Sequence, residues 1–176
     1  MFYDLDDPNA FVRSIKDHLD DDGVWCIQLS YVLSMIKNMN FYDICHEHLS
    51  YYSLKSLKYL MERNGLQIVH ASTNDVNGGS LRAYITHTEN VQLSKKFDKT
   101  GIQKLLKDEE KMKLESIETF KNYYNKITNL SDKVKKYFDQ EIKKGNKIIG
   151  LGASTKGNIL LQLFGITKTM MPYISE

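Results

Sequence analysis

Apolar positions near the start of the chain follow first a helical and then an extended pattern. A helix is predicted to begin at Asp7-Pro8, because Asp7 can accept hydrogen bonds from the first turn and proline fits the first helical position. Apolar residues then recur at helical spacing as far as the polar stretch LDDDG at 19–23. The apolar run VWCIQLSYV at 24–32 predicts a short strand that is buried on both faces.

The next part of the chain predicts one helix and two strands. From Leu54, apolar residues recur at helical spacing up to Asn64-Gly65, a pair that is typical of a helix C-terminus. The segments 66–72 and 80–87 have strand-like composition and are joined by the loop TNDVNGG. This order of helices and strands predicts an α/β fold.

The last part of the chain changes character twice. From about 102 to 144, apolar residues repeat every three or four positions, which predicts one long amphipathic helix, or two helices with a break near 128–132. Residues 146–166 then predict a strand, a glycine turn and a helix. Because one strand and one helix bury too little surface for a core, we expect the chain to be a fragment that is cut at both ends.

Composition and charge exclude several classes of function. The 176 residues are 41% apolar and 26% charged, as in an ordinary globular protein, and 24 basic against 22 acidic residues leave a net charge of +2. Such a balance gives no electrostatic argument for nucleic acid or a membrane surface. No apolar run approaches the roughly 18 residues needed to span a bilayer. Cys26 and Cys45 form no CxxC pair and predict reduced thiols in a cytoplasmic protein.

The stretch DICHEHLSYYSL at 43–54 concentrates groups that can exchange protons or bind metal. The zinc-protease pattern needs histidines four residues apart on a helix, whereas His46 and His48 are two apart. In a strand they would share one face, with Glu47 on the other. No further ligand cluster lies nearby in sequence, so no metal site is predicted, and an acid–base site and the polar end of a strand stay open.

The glycine turn GLGASTKG at 150–157 resembles two nucleotide-binding motifs and fits neither. A P-loop has lysine after its last glycine, and the dinucleotide motif has a third Gly or Ala where Thr155 stands. A strand that enters a helix through small residues still points backbone N–H groups at an anion. The alternative is a tight turn that binds no ligand.

Three segments in fixed order, YDICHEHLSYYSL (42–54), NGGSLRAY (77–84) and GLGASTKGNILLQLFGI (150–166), together resemble one family. It is the family of S-adenosylmethionine-dependent C-methyltransferases that act on nucleotide-linked keto-deoxysugars. Its members have an N-terminal zinc-binding domain, a class I methyltransferase domain and a C-terminal Rossmann-like domain.

On the family's plan, this chain starts late in the second domain and ends early in the third. The resemblance implies that residues 1–95 are the C-terminal part of a class I (Rossmann-like) methyltransferase domain. The resemblance also implies that residues 96–145 are a helical connector and that residues 146–176 are the truncated beginning of a Rossmann-like α/β sugar-nucleotide domain. Zinc is then expected only in a missing N-terminal domain. No glycine-rich cofactor loop precedes residue 24, so no residue is assigned to S-adenosylmethionine.

The resemblance also assigns catalytic roles. His48 corresponds to the general base, which removes the proton beside the ketone of the substrate, and Glu47 would orient or polarise the site. Cys45 stands where the family has a tyrosine that stabilises the enolate oxygen. Because a thiol is a weak donor, this stabilisation would be impaired or would pass to Tyr42. For His46 we expect a core histidine that is hydrogen-bonded to backbone.

Two further segments would contact the nucleotide-diphosphate sugar. The resemblance implies substrate contacts in the first from Asn77, Gly78, Gly79, Ser80 and Arg82, and in the second from Ser154, Thr155, Lys156 and Asn158. Locally, the glycines at 78–79 also fit a simple turn between strands, and an arginine at a strand start is often only solvated.

The sequence therefore predicts methyl transfer from S-adenosylmethionine to a carbon beside the ketone of a nucleotide-linked keto-deoxysugar. The isolated fragment is expected to be inactive. One alternative is a non-catalytic nucleotide-sugar-binding remnant of such an enzyme, for which the departure at Cys45 is the argument. A second alternative is a histidine–metal protein built on the HEH sequence at 46–48.

Overall fold

A computed structural model describes residues 2–152 and 154–175 and divides into two compact units. The sheet unit comprises residues up to Asn40 together with His46–Ser116, and the glycine-turn unit comprises Phe41–Cys45 together with the chain from Ile117 onwards. The helices are α1 (Pro8–His18), α2 (Val32–Asn38), α3 (Leu54–Glu62), α4 (Val91–Ser94), α5 (Thr100–Met112), α6 (Ile117–Lys143) and α7 (Thr155–Leu163). The strands are β1 (Trp25–Ser30), β2 (Leu66–Asn74), β3 (Ser80–His87), β4 (Ile149–Leu151) and β5 (Tyr173–Ser175), and 3-10 turns lie at Phe2–Asp4, Phe41–Asp43 and Val76–Gly78.

A three-stranded sheet organises the sheet unit. Its strand order is β1-β3-β2, and the central strand β3 runs antiparallel to both neighbours. Arg82 of β3 lies opposite Gln28 of β1 and Ser72 of β2. The predicted order of helices and strands is confirmed, and the fold is mixed α/β.

The hydrophobic core of this unit lies on one face of the sheet. Buried side chains of α1, α3 and α5, such as Val12, Leu57 and Leu105, form one cluster with Ile85 of β3 and Ile27 of β1. The opposite face leaves polar side chains exposed. The prediction that 24–32 is a strand buried on both faces is therefore wrong. Side chains of an antiparallel strand alternate between a packed and an open face.

Local helix signals explain where the first helices begin. Asp7 caps α1 as predicted, since its Oδ1 accepts a hydrogen bond from the backbone N–H of Ala10 at 2.9 Å. Ser53 and Ser56 form a reciprocal capping box at the start of α3, and this helix ends before Asn64-Gly65 as predicted.

The long amphipathic segment forms two helices, α5 and α6, with the break at a different place from the predicted one. The break lies between Met112 and Ile117, where Lys113 adopts a left-handed backbone with φ of 55°. Helix α6 continues through 128–132, so the prediction of a break there is wrong. The polar residues of that stretch are compatible with the exposed side of an amphipathic helix.

In the glycine-turn unit, β4 and β5 are parallel and α7 connects them in sequence. The predicted strand, turn and helix are therefore present, with residue 153 outside the described residues. That this segment begins a second Rossmann-like domain stays a prediction, as do the domain bounds 1–95, 96–145 and 146–176. Within residues 2–152 and 154–175, no helix combines the length and the apolarity that crossing a membrane requires.

Candidate functional site

The HEH sequence lies in an irregular loop of the sheet unit. Residues 46–47 form a turn, and the stretch up to Ser53 is not a strand. The side chain of His46 is 86% exposed, and its Nε2 lies 3.5 Å from Oε1 of Glu47. The prediction that His46 is a core histidine is therefore wrong, because the turn directs it to solvent.

His48 has a different environment from His46. It is half-buried, and its ring centroid lies 4.2 Å from that of Tyr3 and 6.3 Å from that of Tyr51. Of the two histidines, His48 is thus the one whose imidazole is held by neighbouring side chains. That His48 is the general base stays a prediction.

Backbone contacts fix the loop after His48. The N–H of Ser50 donates to the carbonyl of Tyr3 at 3.0 Å, and the N–H of Val32 donates to the carbonyl of Tyr52 at 3.1 Å. Tyr31 and Tyr52 also form an isolated parallel bridge. The loop is therefore attached to the 3-10 turn at the start of the chain and to the start of α2.

A buried carboxylate that the sequence reasoning missed holds the end of this loop. Glu109 of α5 accepts hydrogen bonds from the hydroxyl of Tyr31 at 2.7 Å, from the N–H of Lys55 at 3.1 Å and from the N–H of Leu54. Burial first, and then the hydrogen bond to Glu109, raises the pKa of Tyr31 well above its usual value. Glu109 thus satisfies free N–H groups in the first turn of α3, where a negative charge is favoured.

The segment Asn77-Gly78-Gly79 lies close to α2 in the same unit. All three residues have positive φ, of 53°, 79° and 130°. The carbonyl of Gly78 accepts hydrogen bonds from the side chains of Asn38, at 2.9 Å, and Asn40. A Cβ atom on Gly79 would lie 2.5 Å from Cβ of Ser34. Close packing of Gly79 on α2 and of Gly78 on Asn40, which follows α2, is therefore sufficient to require these glycines.

The neighbouring candidates Ser80 and Arg82 already have partners within the protein. Ser80 is buried, and its hydroxyl donates to the carbonyl of Val76 at 2.8 Å. Arg82 is exposed, and its Nη2 and Nε donate to Oε1 of Gln28 at 2.9 and 3.2 Å. Of the two side chains, only that of Arg82 offers an accessible charged group for a substrate.

The glycine turn forms an open cavity within its own unit. The cavity has a volume of about 710 Å³, and its lining includes Gly152, Ser154, Thr155 and Asn158. Ser154 caps α7, because its Oγ accepts a hydrogen bond from the N–H of Gly157 at 3.0 Å. The turn therefore presents small residues and two further polar side chains at the N-terminus of a helix.

Lys156 lies in the first turn of α7 and contacts the residues just before the HEH sequence. Its Nζ is 2.6 Å from Oδ1 of Asp43 and 5.3 Å from the ring centroid of Tyr42. The side chain of Asp43 is only 4% exposed, whereas that of Lys156 is 42% exposed. Burial, together with the charges of Asp43 and Tyr42, raises the pKa of Tyr123 on α6. The resemblance placed Lys156 at the nucleotide-diphosphate sugar and did not anticipate this ion pair.

The remaining candidates are divided between the two units. Cys45 is half-buried in the glycine-turn unit, and Glu47 is exposed in the sheet unit. Among the described residues, no three His, Cys, Asp or Glu side chains are grouped so that they could hold a metal ion.

Comparison with known proteins gives the same kind of family as the resemblance of the three sequence segments. Residues 75–176 match the family described as the C-methyltransferase C-terminal domain, and residues 1–71 match a methyltransferase domain. The chain therefore belongs to the C-methyltransferase family. A relative is the C-methyltransferase NovU of Streptomyces niveus, which is 25% identical over 175 residues. The match covers 99% of this chain and 41% of NovU, so the chain spans about two fifths of that relative's length.

Proposed function

We propose that this chain is the part of an S-adenosylmethionine-dependent C-methyltransferase that carries the general base and part of the sugar-nucleotide site. The match of residues 75–176 to the C-methyltransferase C-terminal domain carries the proposal. The substrate would be a nucleotide-diphosphate-linked keto-deoxysugar, and the methyl group would go to a carbon beside its ketone. The similarity to NovU supports methyl transfer to carbon.

His48 would take the proton in the first step. The C–H bond beside the ketone breaks, the proton passes to an imidazole nitrogen, and the electron pair remains as an enolate. A neutral imidazole suits this step because its unprotonated nitrogen can accept the proton. The half-buried ring of His48 supports this role better than the exposed ring of His46 does.

The enolate oxygen needs a hydrogen-bond donor, and Cys45 is a weak one. Tyr42 is the second candidate donor, and Glu47 would polarise the site. In a completed enzyme, in which this chain is joined to a cofactor-binding segment, Cys45→Tyr should raise turnover ten-fold or more if this position supplies the donor, since removing such a donor costs roughly 10²–10³ in rate. If turnover is unchanged in a folded variant, either Tyr42 donates the hydrogen bond to the enolate oxygen or no residue of this segment does.

Two separate groups of residues are candidate contacts for the sugar nucleotide, and each is proposed for its own unit alone. In the glycine-turn unit, Ser154, Thr155 and Asn158 line the open cavity and offer polar groups to a diphosphate. Lys156 would contact the same ligand only by sharing its positive charge with Asp43. In the sheet unit, Asn77, Gly78, Gly79, Ser80 and Arg82 would be the contacts, among which Arg82 has the exposed charge.

The described part of the sheet unit does not offer a glycine-rich loop for S-adenosylmethionine, which would supply the methyl group. β1 passes directly into α2, and neither Tyr31 at its cap nor the helix itself includes a glycine. A glycine-rich loop after a strand is the usual cofactor cradle of nucleotide-binding α/β folds. We therefore expect this chain alone to bind the cofactor weakly or not at all. Micromolar affinity in a calorimetric titration would contradict this expectation.

The deciding experiment uses a completed protein, in which this chain is joined to a cofactor-binding segment. His48→Asn should abolish exchange of the substrate's α-proton with deuterium, while sugar-nucleotide binding persists, because a lost base removes help in the transition state. The matched control is His46→Asn, which removes an exposed imidazole two residues away. Normal exchange in His48→Asn would end the assignment.

A non-catalytic nucleotide-sugar-binding remnant is the second candidate function. The observation that favours it is the thiol of Cys45 at a position where the family has a tyrosine. Sugar-nucleotide binding without any α-proton exchange in the completed protein would select this alternative.

A further inference from the structure

We propose that Tyr3 is a positioning residue for the imidazole of His48. The inference rests on the proposed function for its chemical consequence, and on contacts within the sheet unit for its geometry. The two ring centroids are 4.2 Å apart and the ring planes are inclined by 55°. This separation is slightly shorter than the roughly 4.5–7 Å that is usual for aromatic pairs, so the two rings are in direct contact.

Tyr3 is itself attached to the loop that it contacts. Its carbonyl accepts the N–H of Ser50 at 3.0 Å, two residues after His48. The preceding residue, Phe2, is buried, and its ring lies 5.3 Å from that of Tyr52 and 6.0 Å from that of Trp25. The 3-10 turn Phe2–Asp4 is therefore joined to the loop by one backbone hydrogen bond and by two ring contacts, Phe2 with Tyr52 and Tyr3 with His48.

This attachment matters because the loop has little regular structure of its own. Residues 48–50 belong to no helix or strand, so the backbone alone does not fix the side chain of His48. The second torsion of a histidine side chain is broad and has no sharp rotamers. A ring packed against the imidazole restricts that torsion and thereby selects the direction in which its nitrogens point.

Orientation of a base has a measurable consequence. A general base must lie within hydrogen-bond reach of the proton that it removes, and a displacement of 1 Å can cost about 10²-fold in rate. Tyr3 would thus act through His48 and would have no contact with the reacting atoms. It differs from Tyr51, whose ring is 6.3 Å from His48 and which serves as the matched control.

The first readout is the nuclear magnetic resonance signal of the His48 ring protons in the chain without ligand, identified by its loss in His48→Asn. The Tyr3 ring should shift these signals through its ring current. The shift should disappear in Tyr3→Leu and Tyr3→Met, remain in Tyr3→Phe, and change little in Tyr51→Leu. Two non-aromatic replacements are included so that one unfolded variant does not decide the matter.

The second readout is α-proton exchange in the completed protein. Tyr3→Leu should lower the exchange rate roughly ten-fold or more with little change in sugar-nucleotide affinity. Tyr3→Phe keeps the ring and should therefore retain most of the wild-type rate. An unchanged His48 signal in a folded Tyr3→Leu or Tyr3→Met variant would overturn the inference. A loss in Tyr3→Phe as large as in Tyr3→Leu would also overturn it, because the ring would not be the cause.

The two proposals fail in different ways. If His48→Asn leaves α-proton exchange intact, the proposed function fails, while the His48 signal still decides whether Tyr3 holds the ring. If Tyr3→Leu moves the signal but leaves exchange unchanged, the positioning role is wrong and the base assignment survives.

Discussion

The loop that carries His48 and the turn that carries Ser154 differ in what surrounds them. The loop lies in a unit with a continuous hydrophobic cluster, and residues from α2 and α5 hold its end through hydrogen bonds. In the glycine-turn unit, α7 has no buried residue, and the side chain of Leu151 in β4 is 90% exposed. Ser154 caps α7, and its Oγ accepts the N–H of Gly157, which is only three residues further along the chain.

This difference shows two ways of placing polar groups. In the sheet unit, residues far apart in sequence fix the loop, so its geometry depends on the whole core. In the glycine-turn unit, the start of α7 is capped by an adjacent residue and depends mainly on local geometry. Substitutions in the first region should therefore have larger and more widespread effects than those in the second.

The largest effect is expected for Glu109→Ala. The substitution leaves the hydroxyl of Tyr31 and the N–H groups of Leu54 and Lys55 without their acceptor in a buried site. Each buried donor without a partner costs about 1–3 kcal/mol, so we expect the free energy of unfolding to fall by roughly 3–5 kcal/mol. Urea denaturation followed by circular dichroism would measure the loss.

Glu115→Ala is the matched control for Glu109→Ala. Glu115 pairs with Lys55 at 2.5 Å, but both side chains are exposed. Exposed ion pairs are screened by water and contribute little, so the control should unfold close to the wild-type midpoint. Equal losses in the two variants would show that Glu109 is not a special anchor of the loop.

The next effect concerns Gly79, which is positioned by α2. Alanine would have to adopt φ of 130°, and its Cβ would lie 2.5 Å from that of Ser34. Such backbone strain costs about 1–3 kcal/mol before the clash is counted, so Gly79→Ala should lower the free energy of unfolding by about 2–3 kcal/mol. Gly145→Ala is the control in the other unit, since φ there is also positive, at 82°, but nothing lies within 4 Å. A loss as large in Gly145→Ala would show that strain alone, without the contact to α2, explains the effect.

The sequence predicted what depends on neighbouring residues and missed what depends on distant ones. The cap at Asp7 and the bounds of β3 followed from local patterns and are confirmed. Glu109 was missed because a glutamate between charged residues normally faces solvent. The available signal was its position seven residues after Ile102, on the apolar side of α5. The pair of Asp43 with Lys156 has no sequence signal at all, since only the fold brings the two residues together.

The third effect is a loss of stability at alkaline pH that depends on Tyr31. Burial raises the pKa of Tyr31 in the folded protein above its usual value near 10. The unfolded chain loses this proton from about pH 10 while the folded protein keeps it, so the stabilisation is complete below pH 10 and falls as pH rises. The expected slope is about 1.4 kcal/mol per pH unit. The free energy of unfolding should differ less between pH 9 and pH 11 in Tyr31→Phe than in the wild type. A remainder is expected from Tyr52 and Tyr123, whose pKa values burial also raises.

The smallest effect is expected at Ser154, in the glycine-turn unit. Ser154→Ala removes the oxygen that accepts the N–H of Gly157 at 3.0 Å, and loss of such a cap costs about 1 kcal/mol. Because the site is exposed, water can replace part of this hydrogen bond, and the damage should remain near α7. Amide exchange should therefore rise at Gly157 and Asn158, whose N–H groups bond to Ser154, and stay unchanged in β3. Ser154→Asp, which keeps a side-chain acceptor, should retain protection. Increased exchange in β3 would mean that the glycine turn is coupled to the sheet unit, and the contrast between the two regions would be wrong.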